Sequence, residues 1–213
     1  MSTSYGKTRW KRFALVMVPS VAATAAIGVS LANSALAASF AVSGQQFKVT
    51  VDQLHGDNFS QFGGVDMQAD GKTAHPVAIS AFDTARLQNL CQSVVTDLGP
   101  LGKWTLVLKA GDSPDEAKQV HAQQLLIDMN QLNADAEFHS INIGQDAGTL
   151  QGSAIDKLKN DGGKVPTGAQ GFAQSAKSAD LSKVQQTAWA TSAGTFTLPG
   201  LSLNITQGAN ECY

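Results

Sequence analysis

Phe47-Lys48-Val49-Thr50-Val51 is the stretch that decides the fold class. In an extended chain Phe47, Val49 and Val51 fall on one side and Lys48 and Thr50 on the other, the period of two expected of a half-buried strand. Outward from it the pattern returns at Val65–Met67, Val77–Ile79, Trp104–Leu108, Leu126–Met129, Ala136–Phe138, Ile141–Ile143, Thr195–Leu198 and Leu201–Ile205. Turn chemistry separates these runs: Gly56-Asp57-Asn58, Gly63-Gly64, Asp70-Gly71, Gly99-Pro100, Gly111-Asp112 and Pro199-Gly200. Many short strands so spaced predict a single all-β domain, a sandwich or curved sheet.

Three segments depart from the alternation. Ser113-Pro114-Asp115-Glu116 is a formal capping box with proline at the first helical position, and predicts a turn or two of helix before the chain extends again. Residues 151–178 are rich in Gly, Ala, Ser, Lys and Asp and predict a long flexible surface loop. Thr84–Cys91, Ser178–Gln185 and Ala134–Ile141 echo one another as small-x-large-x-x-apolar. A β-solenoid uses such echoes and stands as the alternative architecture, but the separations are irregular.

Ahead of the β-rich body, residues 1–37 read as an export signal. Lys7, Arg9, Lys11 and Arg12 precede an apolar run from Phe13 to about Ala32, and Ala35-Leu36-Ala37 supplies the small residues of a cleavage site. The run is also long enough for an uncleaved membrane anchor. Its Ala, Ser and Thr content, Pro19 and Gly28 favour cleavage. Either way residues 38–213 are expected outside the cell membrane, secreted or held at its outer face. Losing the four basic residues leaves 11 basic against 17 acidic, a net charge near −6. An acidic body without a basic cluster opposes nucleic acid as a partner. Outside the cell an even pair of cysteines is most simply one disulfide, Cys91–Cys212, with free or metal-binding thiols as the alternative.

The search for chemistry is sparse in result. Ala190-Thr191-Ser192-Ala193-Gly194 is the nearest string to a nucleophile elbow, yet it leads into a strand rather than a helix. Gly111-Asp112-Ser113 matches the core of another lipase class and Asp52-Gln53-Leu54-His55 its partner block, in reversed order along the chain. Ser192 and Ser113 are therefore the weak catalytic candidates. His55, His75, His121 and His139 show no ligand spacing, so no metal site is expected. Asp66, Asp70, Asp128 and Asp135 read as residues of polar turns or solvent faces. No phosphate loop or dinucleotide fingerprint is present, and no cofactor is expected. Phe59 and Phe62, in a Gly-rich stretch read as a loop, are the candidates for exposed aromatic binding residues.

The segments KTRWKRFALVMVPS, ASFAVSGQQFKVT, LCQSV, LNADAEF, QTAWAT and the terminal ECY resemble an uncharacterised family of exported proteins from streptomycetes and other actinobacteria. Its members are sometimes labelled cholesterol esterase, a label no residue constellation here supports. The resemblance implies a Gram-positive envelope setting. Together the readings point to a non-enzymatic exported protein that binds an apolar ligand, a lipid or a membrane-protein partner. A lipid-ester hydrolase and a purely structural surface protein are the alternatives, and oligomeric state is not encoded in any motif.

Overall fold

The computed structural model describes residues 41–168 and 171–213; the segment read as an export signal, with Ala35 and Ala37, lies outside the described residues. The described residues form one compact unit. Its strands are β1 (Ala41–Val42), β2 (Phe47–Gln68), β3 (Ala74–Gln88), β4 (Leu90–Asp97), β5 (Lys103–Ala110), β6 (Val120–His139), β7 (Asn142–Asp146), β8 (Phe172–Ser192), β9 (Thr195–Thr197) and β10 (Ser202–Gln207). One α-helix, α1 (Ser153–Asn160), lies between β7 and β8. The all-β expectation holds, with the strands arranged as a single sheet that closes on itself.

Closure follows from the pairing. β2 pairs antiparallel with β3, β3 with β6, β6 with β8, and β8 with the free edge of β2. These four strands run 22, 15, 20 and 21 residues, far longer than the short runs read from the sequence. Gly56-Asp57-Asn58 and Gly63-Gly64 are not turns but interior positions of β2. Gly56 faces the ring of Phe82, and a Cβ there would stand 2.3 Å from Phe82 Cδ1; one on Gly64 would stand 2.4 Å from Ile79 Cδ1. Both glycines make room for bulky neighbours across a tightly coiled pair of strands.

The alternation within these strands is broken at regular places. Five non-glycine residues have left-handed backbone: Asn58, Asn89, Gln124, Ser140 and Lys183, at φ of 51–56°. Each occupies the fifth place of a six-residue segment; four of the five read inward, outward, inward, outward, left-handed, inward, while in Ala136–Ile141 both Ala136 and Ile141 are exposed. The copies are Leu54–Phe59, Ala85–Leu90, Val120–Leu125, Ala136–Ile141 and Ala179–Val184. Eleven of the twelve inward positions in the first four copies by burial (Leu54, Phe59, Ala85, Leu87, Leu90, Val120, Ala122, Leu125, Ala179, Leu181 and Val184) belong to one apolar cluster, and the twelfth is the buried Gly56. The echo seen in the sequence is therefore real, and it marks a repeated left-handed break in the strand alternation. The strand register runs past Asn58, Asn89, Gln124 and Ser140 without an added residue, and among these five positions it shifts only beside Lys183.

That cluster fills the ring. Phe59 stacks at its centre, 5.3 Å from Phe82 and 5.1 Å from Phe138, ring centroid to ring centroid. A second cluster lies on the outer face, where Phe62, Val77, Ile79, Ala81, Leu126 and Ala173 are covered by Ala154, Ile155 and Leu158 of α1. Here the sequence expectation of a loop over 151–178 is corrected: α1 and the start of β8 occupy it. The Asp83 carboxylate of β3 accepts from the Ala154 backbone N–H and from Asn58 Nδ2, 2.8 Å each, fixing the helix start against the strand at Asn58. Asp66 and Asp128, expected on solvent faces, are fully buried in β2 and β6. They fall on the outer face beside Phe62 and Leu126, where the strands are covered. The capping signal near Ser113 yields one 3-10 turn, Glu116–Lys118, capped by Asp115 rather than Ser113.

Beyond the ring, β4, β5 and β10 form a three-stranded wing that joins β2 at Lys48–Thr50. One of its faces is covered by the chain end. Thr105 Oγ1 donates to the Gly208 carbonyl at 2.6 Å, the Cys212 N–H donates to Ser93 Oγ at 3.0 Å, and the Cys91–Cys212 disulfide closes over them with Cα atoms 5.9 Å apart. Lys48 Nζ holds Glu211 at 3.0 Å and lies over the Tyr213 ring.

Candidate functional site

Two surfaces stand out, one charged and one apolar. The charged one is made by the second residue of every copy. His121 pairs with Arg86, Arg86 with His55, His55 with Asp180, and Asp180 with Glu137. Starting from His121 and following partners round the ring returns to β6 at Glu137, sixteen positions further along. The five side chains thus form a spiral belt on the outside of the ring.

Asp180 is its centre. One oxygen accepts from His55 Nδ1 at 2.6 Å and the other from His139 Nε2 at 3.0 Å. The hydrogen bond from His55 holds the Asp180 carboxyl below the usual carboxylate range; partial burial opposes this and His139 adds to the lowering. Arg86 is paired with Glu116. A groove of about 530 Å³ runs along the belt, lined among others by Gln53, Arg86, Glu116, Asp135 and Glu137.

An acid–imidazole pair of this kind is half of a hydrolytic relay, but the other half is not assembled. The second nitrogen of His55 faces another carboxylate, Asp57 Oδ1 at 3.6 Å, and the nearby Thr84 hydroxyl donates to Asp57 rather than toward the imidazole. Asp52, the acid of the sequence-level partner block, is bound by Asn89 at 2.9 Å. Ser113 Oγ accepts from the Asp115 N–H at 3.2 Å in the turn before β6. Ser192 Oγ accepts from Lys157 Nζ at 3.1 Å, and that ammonium also binds Asp161. A lysine acting as general base would have to accept from the serine, the reverse of this bond. The two serines meet neither His55 nor each other in any hydrogen bond.

Phe59 and Phe62 do not form an exposed pair. They are 4% and 3% exposed, on opposite faces of β2, one inside the ring and one under α1. The stretch was legible as a loop only because its glycines resemble turn residues. Inside the ring, between Phe59, Phe82, Phe138, Leu132 and Met129, there is an apolar space of about 80 Å³. A cavity of roughly 150 Å³ is what a single benzene takes. The space is too small for a lipid chain.

The apolar surface lies on the uncovered face of the wing. Register places Leu203 beside Leu108 and Ile205 beside Leu106, with Val94 next along on β4. Leu98, Leu101, Leu201, Leu203 and Ile205, five of the eleven exposed large apolar residues, belong to the wing or its connecting turns, at 46–68% exposure. Trp104 Nε1 donates to the Leu101 carbonyl at 3.0 Å, bracing the β4–β5 turn. Sequence reading found these strands but not their exposure, since Leu201-Ser202-Leu203-Asn204-Ile205 has the same alternation as a strand with a buried face.

Among the described residues the closed sheet carries a disulfide-stapled wing with an apolar face, and no hydrogen bond joins Ser113 or Ser192 to His55. The chain belongs to the family of unknown function DUF6230, whose model matches residues 43–213. No curated protein and no solved structure matches it.

Proposed function

We propose that this chain is an exported, non-catalytic protein of the cell envelope, of the actinobacterial kind its sequence resembles, and that it acts by docking the apolar face of its wing onto a partner surface. The concentration of exposed Leu and Ile on the wing and its turns, with Leu203 and Ile205 on the uncovered face, carries the reading, because soluble surfaces rarely gather such residues without a use. The small ring cavity argues that apolar contact is made outside the ring rather than by an engulfed lipid. The stapled chain end supports the wing from behind and keeps its shape. The esterase label carried by similar sequences finds no support in the surroundings of Ser113 or Ser192.

A photo-reactive phenylalanine analogue at position 203, irradiated in intact producing cells, tests the docking surface. A discrete covalent adduct is expected there and none from the same analogue at the exposed belt position Glu137. Equal labelling at both, or none at 203, overturns the reading. A serine-reactive phosphonate that modified Ser113 or Ser192 would overturn its non-catalytic part.

A further inference from the structure

We propose that the partner of the wing is a second copy of the same chain, joined through an antiparallel β10–β10 pairing centred on Asn204; this rests on the docking reading above and names its partner. Among the described residues β10 pairs only with β5, so its other edge presents unpaired backbone groups. All six of its residues are exposed. Natural edge strands are blunted by lysine, proline or a bulge, and β10 has none of them.

Ser202-Leu203-Asn204-Ile205-Thr206 is a chemical palindrome: hydroxyl, apolar, amide, apolar, hydroxyl. A twofold axis at Asn204 sets Leu203 opposite Ile205 of the second copy and Ser202 opposite Thr206, twice each. Directly opposed residues share a face, so the apolar strips of both wings become one continuous face across six strands. A C2 contact needs a surface complementary to itself, and this strand is.

Charge points the same way. A body with 17 acidic residues repels its copies over most of its surface, yet no charged residue occurs between Lys183 and Glu211. The neutral edge is where two copies can approach. A six-residue edge with its flanking strip lies at the small end of specific interfaces, below about 1,200 Å² in total, so the dimer is a weak, micromolar one.

The test is sedimentation velocity of the purified chain from about 1 to several hundred micromolar, a range that spans weak pairing. Wild type should move from monomer to dimer with concentration. L203E and I205K alone, and the like-charged L203K/I205K, should stay monomeric with unchanged thermal melts. L203E/I205K should dimerise again, because each introduced acid then faces an introduced lysine of the second copy, and about 1 M salt should weaken that dimer but not the wild type. A wild type monomeric throughout, single variants that dimerise like wild type, or an L203E/I205K chain no better than L203K/I205K overturns the proposal. An adduct from position 203 at a mass other than two chains, with a monomeric purified chain, leaves the docking surface standing and removes the second copy as its occupant.

Discussion

Lys183 offers a test of the ring that reverses an ordinary expectation. It sits in the middle of the 21-residue β8, its side chain 83% exposed and touching only Asp135, at 2.9 Å. In a regular exposed strand, valine would be favoured over alanine and alanine over glycine, across a span of about 1 kcal/mol. At φ +53° the order inverts. An L-residue in the left-handed region costs about 1–2 kcal/mol, and glycine escapes this while giving up about 0.5–1 kcal/mol to the entropy of the unfolded chain. K183G should therefore be more stable than K183A by about 0.5–1 kcal/mol, and K183V less stable than both, since a β-branched side chain tolerates positive φ worst. Using K183A as the reference removes the exposed Lys183–Asp135 pair, worth about 0–1 kcal/mol, from the comparison. Urea unfolding with an unchanged slope gives the order directly. If K183V proves the most stable of the three, β8 is a regular strand at this point, and the left-handed break at Lys183 is refuted.

Three further outcomes follow from named contacts. Phe59→Ala and Phe62→Ala should each cost about 3–5 kcal/mol in urea unfolding. Phe59 should couple to Phe82 by about 0.5–1.5 kcal/mol but add independently with Phe62 on the opposite face; a loss under about 0.5 kcal/mol for either would put that ring on the surface. Gly64→Ala should lose about 1–3 kcal/mol, because the new methyl meets Ile79, which is 0% exposed, whereas Gly63→Ala enters open space and should be neutral or gain up to about 1 kcal/mol; equal effects at the two neighbours would contradict the register. Asp180 titrates lower in the folded protein than its unfolded value of 3.8, so its contribution is complete above that pH and is lost as pH falls through the folded value. Thermal melts below pH 3.8 should decline more steeply for wild type than for Asp180→Asn, and parallel curves would show that His55 and His139 do not hold the carboxylate.

What the sequence disclosed and what it hid share one physical cause. Strand periodicity was readable wherever two or three alternations survived between left-handed breaks, as at Phe47–Val51. The continuity of the strands was not, because each left-handed residue moves the apolar set to the other parity. Leu54 and Gly56 face inward at even positions, and after Asn58 Phe59 faces inward at an odd one. A reader looking for period two sees the strand stop there. Asn58 with Gly56, and Gly63 with Gly64, then supply false turn signals. Helix α1 was hidden differently: of its eight residues only Ile155 and Leu158 are large and apolar, and its start is fixed by Asp83, seventy-one positions away from Ala154. The disulfide was legible because two cysteines allow one pairing.

The repeat also explains why the belt draws the eye and why the wing is the better functional candidate. A copy fixes which residue points outward between two inward ones, so five such positions must line up once the strands pair. His55, Arg86, His121, Glu137 and Asp180 are neighbours because the ring closes, and the His55–Asp180 bond with the contacts of Glu116 and His139 offsets the crowding of polar groups there. No additional partner is needed to account for them. β4, β5 and β10 lie outside that logic: none contains a left-handed non-glycine residue, and their exposed Leu and Ile serve neither apolar cluster except through Leu108 at its margin. Burial of the ring would be unchanged if Leu203 and Ile205 were polar. Their presence as apolar residues on an open edge, braced from behind by a disulfide, is the part of this structure that folding alone leaves without a cause.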